Sequence, residues 1–279
     1  MVVYPCCKIN IGLNVVERRS DGYHNLETVF YPIPLHDNLE VVTAPHAVAP
    51  YRLHQTGIRL DGESGQNLVV RVLEQLRETY PQIPPVEIWL HKRIPAGAGL
   101  GGGSSEAAFM MRLLNEQYHL GMDDEDMEYR LSRLGADCAF FNKAVPAFAT
   151  GIGDELMPID FTLAGWNFVL VKPNIHVSTR EAFSMIVPQP PRVRLLEALS
   201  RPVEMWKDTV VNDFERSVFT HHPEIRAIKE TLYTMGATYA SMTGSGSSVF
   251  ALFHDRQQEA AEIFPDCFVY ETRLRLNNS

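Results

Sequence analysis

A glycine-rich stretch, Pro95-Ala-Gly-Ala-Gly-Leu-Gly-Gly-Gly-Ser-Ser-Glu-Ala-Ala108, constrains the fold of this chain more than any other feature. It holds five glycines between positions 97 and 103, followed directly by two serines. Glycine has no Cβ, so such a loop can adopt positive φ angles and bring its backbone against a ligand. The next residues place Phe109/Leu113 and Met110/Leu114 one turn apart, which predicts a buried helix face. A glycine loop that leads into a helix N-terminus is an anion site, most often for phosphate.

Two common phosphate motifs differ from this stretch. A Walker A loop ends in Gly-Lys-Ser/Thr, and no lysine follows these glycines. A dinucleotide fingerprint needs a βαβ unit with an acidic residue about 20 residues further on. Glu125 and Asp126 lie in that range, but Asp123-Asp-Glu-Asp126 is typical of a solvated helix start. A mobile linker is the remaining alternative, and the strand-like Val86–Leu90 before the loop and the apolar helix after it argue against that.

The composition and net charge of the chain limit which classes of protein it can belong to. The chain has 279 residues, enough for one large domain or two smaller ones, and its 45% hydrophobic and 21% charged residues are those of a soluble globular protein. The net charge of −9 argues against general nucleic-acid binding. We expect no membrane span and no signal peptide, and we expect the four cysteines to be reduced in a cytoplasmic protein.

Two polar residues interrupt the apolar segment 2–14. Lys8 and Asn10 are two positions apart, so on a strand both side chains point to the same face. They could form a site, or the segment could be an edge strand with a solvated face, and the second interpretation is favoured on these residues alone. After this segment, Ser20–His24 is predicted to be a turn because it contains Asp-Gly.

A second group of candidate residues lies on either side of the glycine loop. Asn67 precedes a 3.6-residue apolar stripe that extends to Tyr80 and is predicted to be an N-cap. His91-Lys92-Arg93 leads into the loop, either near a bound phosphate or as a solvated strand end. Asp137 stands between Gly-Ala and an apolar run, where a buried carboxylate needs a partner. Lys8 is a possible partner, and a helix cap is the alternative.

The remaining pattern predicts a mixed α/β chain. Strands are predicted at 27–33, 38–43, 51–60, 86–90, 167–171 and 267–272, and helices at 67–80, 124–134, 223–235 and 257–263. The segment Lys172–Thr179 is predicted to start a further helix, which carries Phe183. Thr150–Asp154 is predicted to be a turn between two short strands. Ala240–Leu252 is a second Gly/Ser loop between strands, either an anion nest or a tight hairpin. We place the domain boundary near the glycine-rich turn at 150, giving domains 1–150 and 151–279.

Three stretches resemble the GHMP small-molecule kinases in order and spacing. Cys7–Val15 resembles their first motif, Pro95–Ala108 their second and Met242–Phe250 their third. Within that superfamily, Asp21–Phe30 and Leu134–Asp137 are similar to the 4-diphosphocytidyl-2-C-methyl-D-erythritol kinases of the non-mevalonate isoprenoid pathway. The resemblance implies an α+β fold with an N-terminal domain like ribosomal protein S5 domain 2 and a ferredoxin-like C-terminal α/β domain.

The resemblance also implies a kinase site that uses ATP and Mg²⁺. Lys8 and Asp137 match the catalytic pair, in which the carboxylate accepts the proton of the substrate's 2-hydroxyl and the ammonium keeps it ionised. Such roles suit phosphoryl transfer, where positioning and electrostatics dominate. Mg²⁺ could use Ser104 or Ser105. The expected ATP-binding residues are Pro95, Ala96, Gly97, Ala98, Gly99, Leu100, Gly101, Gly102, Gly103, Ser104, Ser105, Lys92 and Asn67.

For the cytidine-diphosphate-linked methylerythritol, Tyr23 and Phe183 match an aromatic pair that stacks on cytosine, and His24 matches a residue that hydrogen-bonds it. The other expected substrate residues are Asn10, Thr179, Gly244 and Gly246, with Asp21 a weaker candidate.

The alternatives are a mevalonate or homoserine kinase, or a non-catalytic nucleotide or metabolite sensor on the same scaffold. The cytidine residues argue against the first alternative, and the presence of both Lys8 and Asp137 argues against the second. Beyond the small-molecule substrate we expect no nucleic-acid or membrane partner, and a monomer or homodimer. Two departures from the usual pattern are Cys138-Ala139 after the proposed base, in place of Val/Ile-Pro, and Cys6-Cys7 before Lys8.

Overall fold

Five strands come first in the chain, and groups of helices and strands follow them. A computed structural model describes residues 1–58, 67–255 and 260–276. The strands are β1 (Val2–Val3), β2 (Cys6–Arg18), β3 (His24–His36), β4 (Asn38–Thr43), β5 (Tyr51–Gly57), β6 (Val86–Lys92), β7 (Ala147–Thr150), β8 (Glu155–Pro158), β9 (Asn167–Pro173), β10 (Tyr239–Met242), β11 (Val249–Phe253) and β12 (Cys267–Arg273). The α-helices are α1 (Leu68–Thr79), α2 (Gly102–Gln117), α3 (Asp124–Ser132), α4 (Phe140–Lys143), α5 (Thr179–Ala182), α6 (Leu195–Leu199), α7 (Phe214–His221), α8 (Pro223–Thr234) and α9 (Ala260–Ile263).

These elements form two compact units, each assembled from separate stretches of chain. Unit 1 comprises Met1–Cys7, Pro34–Ala96 and Gly101–Ala144. Unit 2 comprises Lys8–Ile33, Gly97–Leu100 and Val145–Ser279. The chain therefore passes from one unit to the other several times, twice within the glycine-rich stretch.

Unit 1 is a four-stranded sheet with helices. The strand order is β1-β4-β6-β5, antiparallel except for the parallel pair β5 and β6. The predicted N-cap of α1 is confirmed, because the Asn67 side chain accepts a hydrogen bond from the Val69 amide at 3.0 Å. The apolar stripe of α1 is buried, and each such Val or Leu contributes about 1.5–3 kcal/mol. Val70, Leu73 and Leu76 are among these side chains.

Unit 2 contains a second sheet with the order β10-β11-β9-β12, all antiparallel. With the intervening helices, the chain order is β-α-β-β-α-β, and β9 and β11 lie in the middle of the sheet with β10 and β12 at its edges, as in ferredoxin-like folds. One face carries a core that includes Val171, Phe214, Leu232 and Ala251. The third sheet, β2-β3-β7-β8, draws most of its first two strands from this unit. The expected α+β architecture with a ferredoxin-like C-terminal part is confirmed.

Several predicted elements differ in extent. The apolar segment 2–14 is two strands, with β1 paired to β4. The helix predicted to carry Phe183 ends at Ala182, and Phe183 begins a short 3-10 turn, Phe183–Met185. Residues 59–60 of a predicted strand and 257–259 of the last predicted helix lie outside the described residues. Helices α4, α6 and α7 were not predicted.

Two expectations from composition can be compared with the structure. None of the four cysteines, all of which are described, is in a disulfide, and three of them are buried. Within the described residues, none of the helices is long and apolar enough to cross a membrane.

Candidate active site

The glycine loop is built on positive backbone angles. Gly97, Gly99 and Gly101 have φ angles of 58°, 73° and 68°, which L side chains rarely adopt. Space is also restricted, because a Cβ at Gly99 would lie 2.2 Å from the Thr243 carbonyl oxygen. A Cβ at Gly97 would lie 3.1 Å from Nδ1 of His176, an exposed residue that the sequence did not indicate. Glycine at position 99 therefore allows the loop to pass close to the Thr243 backbone.

Helix α2 begins directly after these turns. Its N-cap is Gly101, which provides no side-chain cap. The first amides of a helix have no intrahelical acceptor and lie at the positive end of the dipole. The Ser105 amide already donates to the Gly101 carbonyl at 2.9 Å, so the open amides precede it. The helix start therefore has the geometry of an anion site, and the amide of Ser105 is not part of it.

The two serines of α2 differ in their surroundings. The Ser104 hydroxyl hydrogen-bonds the sulfur of Cys138, whose thiol pKa burial raises to about 11. Ser105 is fully buried, and its Oγ has no hydrogen-bond partner among the described residues. An unpaired buried hydroxyl is costly, and a ligand could satisfy it. Of the two serines suggested for Mg²⁺, Ser105 has the available oxygen.

Asp137 lies in the turn that ends at Cys138. In this turn the Cys138 amide donates to the Gly135 carbonyl at 3.1 Å. Asp137 itself is half-buried. Because Ser104 contacts Cys138, this turn packs against the first turn of α2 within unit 1. The N-cap position of α4 is Ala139, which makes no side-chain cap bond, and the alternative role of Asp137 as a helix cap stays a prediction.

Lys8 and Asn10 are buried on β2, each only 3% exposed. The Lys8 ammonium donates to Asn10 Oδ1 at 2.7 Å and lies 4.8 Å from the Phe30 ring centroid. The side-chain Nδ2 of Asn10 donates to Thr28 Oγ1 at 3.0 Å, and the backbone amide of Asn10 donates to Thr243 Oγ1 at 2.9 Å. The interpretation of this segment as a solvated strand face is therefore wrong.

The same strand holds the neighbouring loop segment of unit 2 in place. The Lys8 amide donates to the Leu100 carbonyl at 3.0 Å, and Thr243 Oγ1 donates to the Gly99 carbonyl at 3.3 Å. Lys8 and Asp137 belong to different units, so their joint action stays a prediction.

The second Gly/Ser loop is a hairpin connection between β10 and β11. Gly244 and Gly246 have φ angles of 56° and 91°, and a Cβ at Gly244 would lie 3.2 Å from the Gly99 Cα. Asn212 secures the hairpin by donating from Nδ2 to the carbonyls of Met242 at 2.8 Å and Gly244 at 2.9 Å. Of the two predicted alternatives the hairpin is confirmed, and it contacts the Gly99 backbone.

Lys92 is not a solvated strand end. Its side chain is 2% exposed, and its ammonium lies 2.5 Å from Asp37 Oδ2 and also contacts the Glu106 carboxylate. Asp37 Oδ1 accepts from the Arg93 amide at 2.5 Å and the Ile94 amide at 2.8 Å. Although burial alone would lower the pKa of Lys92, the carboxylates of Glu106 and Asp37 raise it. Burial raises the pKa of Glu106 to about 8.

Sequence reasoning missed Asp37 and Glu106. They are 55 and 14 residues from Lys92, so no local motif links the three. The one available signal was Glu106 itself, a charge within the apolar part of α2.

The residues expected to hold cytosine lie in unit 2. The rings of His24 and Phe183 stack with centroids 4.7 Å apart, and Phe214 meets Phe183 edge-on at 4.7 Å. Burial lowers the pKa of His24, so the imidazole is neutral at pH 7 and can both donate and accept. Tyr23 is 63% exposed.

The turn before Tyr23 is organised by Asp21. Its carboxylate accepts from the Tyr23 amide at 3.0 Å and pairs with Arg19, whose hydrogen bond lowers the pKa of Asp21. Asp21 therefore supports the turn that presents Tyr23. Thr179, at the start of α5, is exposed.

Within the described residues, no cluster of three or more His, Cys, Asp or Glu side chains could hold a metal ion. Mg²⁺ usually keeps several waters and uses one or two protein oxygens together with substrate phosphates. Ser105 Oγ fits that pattern, since it is a buried oxygen without a partner beside the start of α2.

Family comparisons cover most of this chain. Residues 67–151 match the GHMP kinases N terminal domain, and residues 194–269 match GHMP kinases C terminal. A 4-diphosphocytidyl-2-C-methyl-D-erythritol kinase of Bacteroides fragilis is 51% identical over 275 residues, covering 99% of this chain and 100% of the relative. The corresponding kinase of Parabacteroides distasonis is 49% identical over 278 residues, covering 98% and 100%.

Solved structures agree with the sequence relatives. A crystal structure of 4-(cytidine 5'-diphospho)-2C-methyl-D-erythritol kinase matches with a TM-score of 0.82 and 29% identity, covering 97% of this chain and 98% of that one. Methanococcus jannaschii mevalonate kinase matches with a TM-score of 0.70 at 12% identity, covering 98% of both chains, and this likeness shows the fold alone. The chain therefore belongs to the 4-diphosphocytidyl-2-C-methyl-D-erythritol kinase family of the GHMP kinases.

Proposed function

We propose that this chain is an ATP-dependent kinase that phosphorylates the 2-hydroxyl of 4-diphosphocytidyl-2-C-methyl-D-erythritol. The carrying observation is the 51% identity to a kinase of that name over 99% of the chain. GHMP kinases use ATP as the phosphate donor, and the glycine loop at the start of α2 supplies the anion site that such a donor needs.

In this proposal the triphosphate is held by the loop from Gly97 to Ser105. The open amides at the start of α2 donate to phosphate oxygens, and the positive φ angles of Gly97 and Gly99 let the backbone approach them. Pro95 is buried and Ala96 exposed at the beginning of the loop. Asn67 has its side-chain oxygen engaged as the cap of α1, so any contact with the nucleotide would come from its amide nitrogen or its backbone.

Asp137 is proposed as the general base. It accepts the proton of the substrate's 2-hydroxyl, whose oxygen bonds to the γ-phosphorus while the bond from that phosphorus to the β–γ bridging oxygen breaks and ADP leaves. Lys8 supplies a fixed positive charge to this reaction, and its ammonium is oriented by Asn10 and the Phe30 ring. Ser105 would hold a bound Mg²⁺, and that ion would neutralise part of the phosphate charge.

Recognition of the substrate is assigned to the aromatic residues of unit 2. Phe183 and Tyr23 offer π faces for cytosine, and the neutral His24 can hydrogen-bond its edge. Asn10 and the hairpin glycines Gly244 and Gly246 are proposed to contact the remainder of the substrate, with Thr179 as a further candidate.

The test is turnover with purified protein, ATP, Mg²⁺ and the cytidine substrate, with mevalonate and homoserine as alternative acceptors. We expect phosphorylation of the cytidine substrate only. Phosphorylation of mevalonate or homoserine in its place would exclude the substrate assignment, and the assignment to the GHMP kinase fold would still hold.

The Asp137→Asn variant tests the base. Loss of a positioned general base costs typically 10²–10⁴-fold in rate, so we expect kcat to fall by about that factor while affinity for an ATP analogue stays within about twofold. Asp160→Asn, an exposed carboxylate in unit 2, is the matched control and should retain the parent rate. Equal kcat in Asp137→Asn and the control would remove Asp137 from this role.

We further propose that the enzyme works in the cytoplasm, where ATP is supplied and thiols such as Cys6 and Cys7 remain reduced.

A further inference from the structure

The imidazole of His176 lies against the first glycine of the glycine loop. A Cβ built on Gly97 would lie 3.1 Å from Nδ1 and 3.4 Å from Cε1 of His176, and Nε2 is more than 4 Å from that position. Both residues belong to unit 2. The Nδ1–Cε1 edge of the ring therefore faces the loop, and Nε2 lies on the far side of the ring.

The ring nitrogens of His176 are uncommitted. The side chain is exposed and makes no hydrogen bond or ion pair with the described part of the chain. Two other histidines of unit 2 differ, because Nε2 of His222 and Nε2 of His254 each contact a glutamate oxygen at 2.8 Å. An imidazole carries one N–H donor when it is neutral and two when it is protonated. At His176 these donors are available to a ligand.

The backbone on both sides of His176 is held in place. On one side, the Ile175 carbonyl accepts a hydrogen bond at 2.7 Å from the hydroxyl of Ser247, which is fully buried. On the other side, Val177 is 4% exposed and packs in the core of unit 2, and the Ser178 side chain caps α5. A side chain whose backbone is already ordered loses less freedom when it binds a ligand. The segment therefore presents the imidazole of His176 in a pre-organised position.

The loop and the imidazole fit each other. Gly97 has a φ angle of 58°, which L side chains rarely adopt, and a Cβ at 3.1 Å from Nδ1 of His176 would be closer than most Cβ contacts. Glycine at this position therefore leaves the space that the ring occupies. A histidine that was only solvated would not need this space, because it could turn its ring into water. The contact thus places an uncommitted donor beside the backbone to which phosphate is assigned.

Resting on the proposed function, we infer that His176 donates a hydrogen bond to a phosphoryl oxygen of a ligand held against the Gly97 backbone. Two ligands of the proposed reaction carry such oxygens, namely ATP in its triphosphate and the cytidine substrate in its diphosphate. The recognition chemistry is the same for both, because a phosphate anion accepts a hydrogen bond from an imidazole N–H.

This assignment adds a binding residue outside the three sequence stretches that resemble the kinase motifs. His176 lies between the end of β9 and the start of α5, far in sequence from the glycine loop. Because the chain has a net charge of −9, binding two polyphosphates depends on local donors of this kind. The tests below establish whether the donor is used and which of the two ligands accepts from it.

The first test follows the imidazole Cε1–H signals of the parent protein by NMR, with the His176 signal assigned from its absence in the spectrum of His176→Gln. The probes are the β,γ-imido analogue of ATP with Mg²⁺, cytidine 5'-diphosphate, and the phosphate-free nucleosides adenosine and cytidine. We expect the His176 signal to shift with one of the two phosphate ligands and to stay in place with the nucleosides. Calorimetry on the same samples establishes saturation. An unmoved signal with both phosphate ligands, or an equal shift with the nucleosides, would overturn the inference.

The second test compares two variants by steady-state kinetics. His176→Phe keeps a ring against Gly97 and removes both donors, whereas His176→Gln keeps an N–H donor near the position of Nε2. A hydrogen bond to a charged group is worth roughly 10- to 100-fold in affinity, and exposure to solvent puts His176 at the lower end of that range. We expect His176→Phe to raise KM for the contacted ligand about tenfold, with kcat within threefold of the parent and KM for the other ligand within twofold.

The conservative variant and a matched control separate the donor from general damage to the fold. His176→Gln should keep all constants within about threefold of the parent, because it keeps a donor. His46→Phe, which changes an exposed histidine in unit 1, should keep the parent constants. A raised KM for ATP assigns the contact to the triphosphate, and a raised KM for the cytidine substrate assigns it to the diphosphate. Unchanged KM values for both ligands in His176→Phe, or the same loss in His176→Gln, would overturn the inference.

The NMR test does not depend on turnover. Parent protein whose His176 signal shifts with a phosphate ligand, but which does not phosphorylate the cytidine substrate, would refute the proposed function and leave this contact standing. Turnover of the cytidine substrate with an unmoved His176 signal would do the opposite. Absence of binding by both phosphate ligands would refute the contact and the proposed function together.

Discussion

Replacing Gly99 with alanine tests whether the close backbone approach in the glycine loop is needed for catalysis. The φ angle of 73° costs a non-glycine residue about 1–2 kcal/mol. The new Cβ would also lie 2.2 Å from the Thr243 carbonyl oxygen, whereas real Cβ contacts are not closer than 3.0 Å, so one of the two backbones must move by at least 0.8 Å. A misplacement of about 1 Å can cost 10²-fold in rate. We therefore expect kcat/KM to fall about 100-fold.

Gly121→Ala is the matched control for backbone strain. Its φ angle is 75°, nearly that of Gly99, but nothing lies within 4 Å of its Cβ position. Both variants should lose about 1–2 kcal/mol of unfolding free energy from the φ angle, and Gly99→Ala should lose more because its Cβ also clashes with the Thr243 carbonyl oxygen. Steady-state kinetics with ATP and the cytidine substrate then isolate the effect of the displaced loop. If kcat/KM of Gly99→Ala lies within threefold of that of Gly121→Ala, the close approach is not required.

Three further predictions follow from packing and charge. Phe183→Ala should raise KM for the cytidine substrate roughly 5- to 150-fold, equivalent to about 1–3 kcal/mol of base stacking, with KM for ATP within twofold; an unchanged substrate KM would exclude the stacking role. Asn212→Ala should lower the free energy of unfolding by about 1–3 kcal/mol in a denaturant titration, because the carbonyls of Met242 and Gly244 lose their donor; a midpoint equal to that of the parent would contradict this. The raised pKa of Glu106 predicts that its stabilising contribution is full below about pH 4.5 and is lost as pH rises towards 8; Glu106→Gln should flatten the fall of the thermal midpoint between pH 5 and 8, and parallel curves would refute the pKa assignment.

Elements with strong local signals were predictable from the sequence. Helix α1 has an asparagine cap and an apolar stripe with the helical period, and its predicted start coincides with the observed one. Strand β4 was predicted with its observed limits, 38–43, because apolar residues alternate there between turn residues. Helices α6 and α7 carry weaker signals: α6 has five residues, and Asp213 at the N-cap of α7 accepts no hydrogen bond from the helix amides, while its carboxylate accepts from the Val15 amide.

Long-range contacts set the limit of prediction at the site. The glycine loop, Lys8 and Asp137 could be chosen from their own sequence motifs. The burial of Lys8 could not be predicted, because it depends on how β2 packs within its unit. One contact in that packing is the hydrogen bond from the backbone amide of Asn10 to the Thr243 hydroxyl, 233 residues away. Asp37 and Glu106 gave no motif with Lys92, since a salt bridge across 55 residues leaves no periodic trace in the sequence.

The glycine at the N-cap of α2 also has a thermodynamic consequence. Exchanging a serine or aspartate cap for glycine costs a helix only a few tenths of a kcal/mol, so leaving the cap without a side chain is inexpensive in the resting protein. A side-chain cap would compete with the nucleotide for the same amides at every turnover. With glycine there, in the proposed site the nucleotide itself would act as the cap, and each release of product would expose those donors to water again.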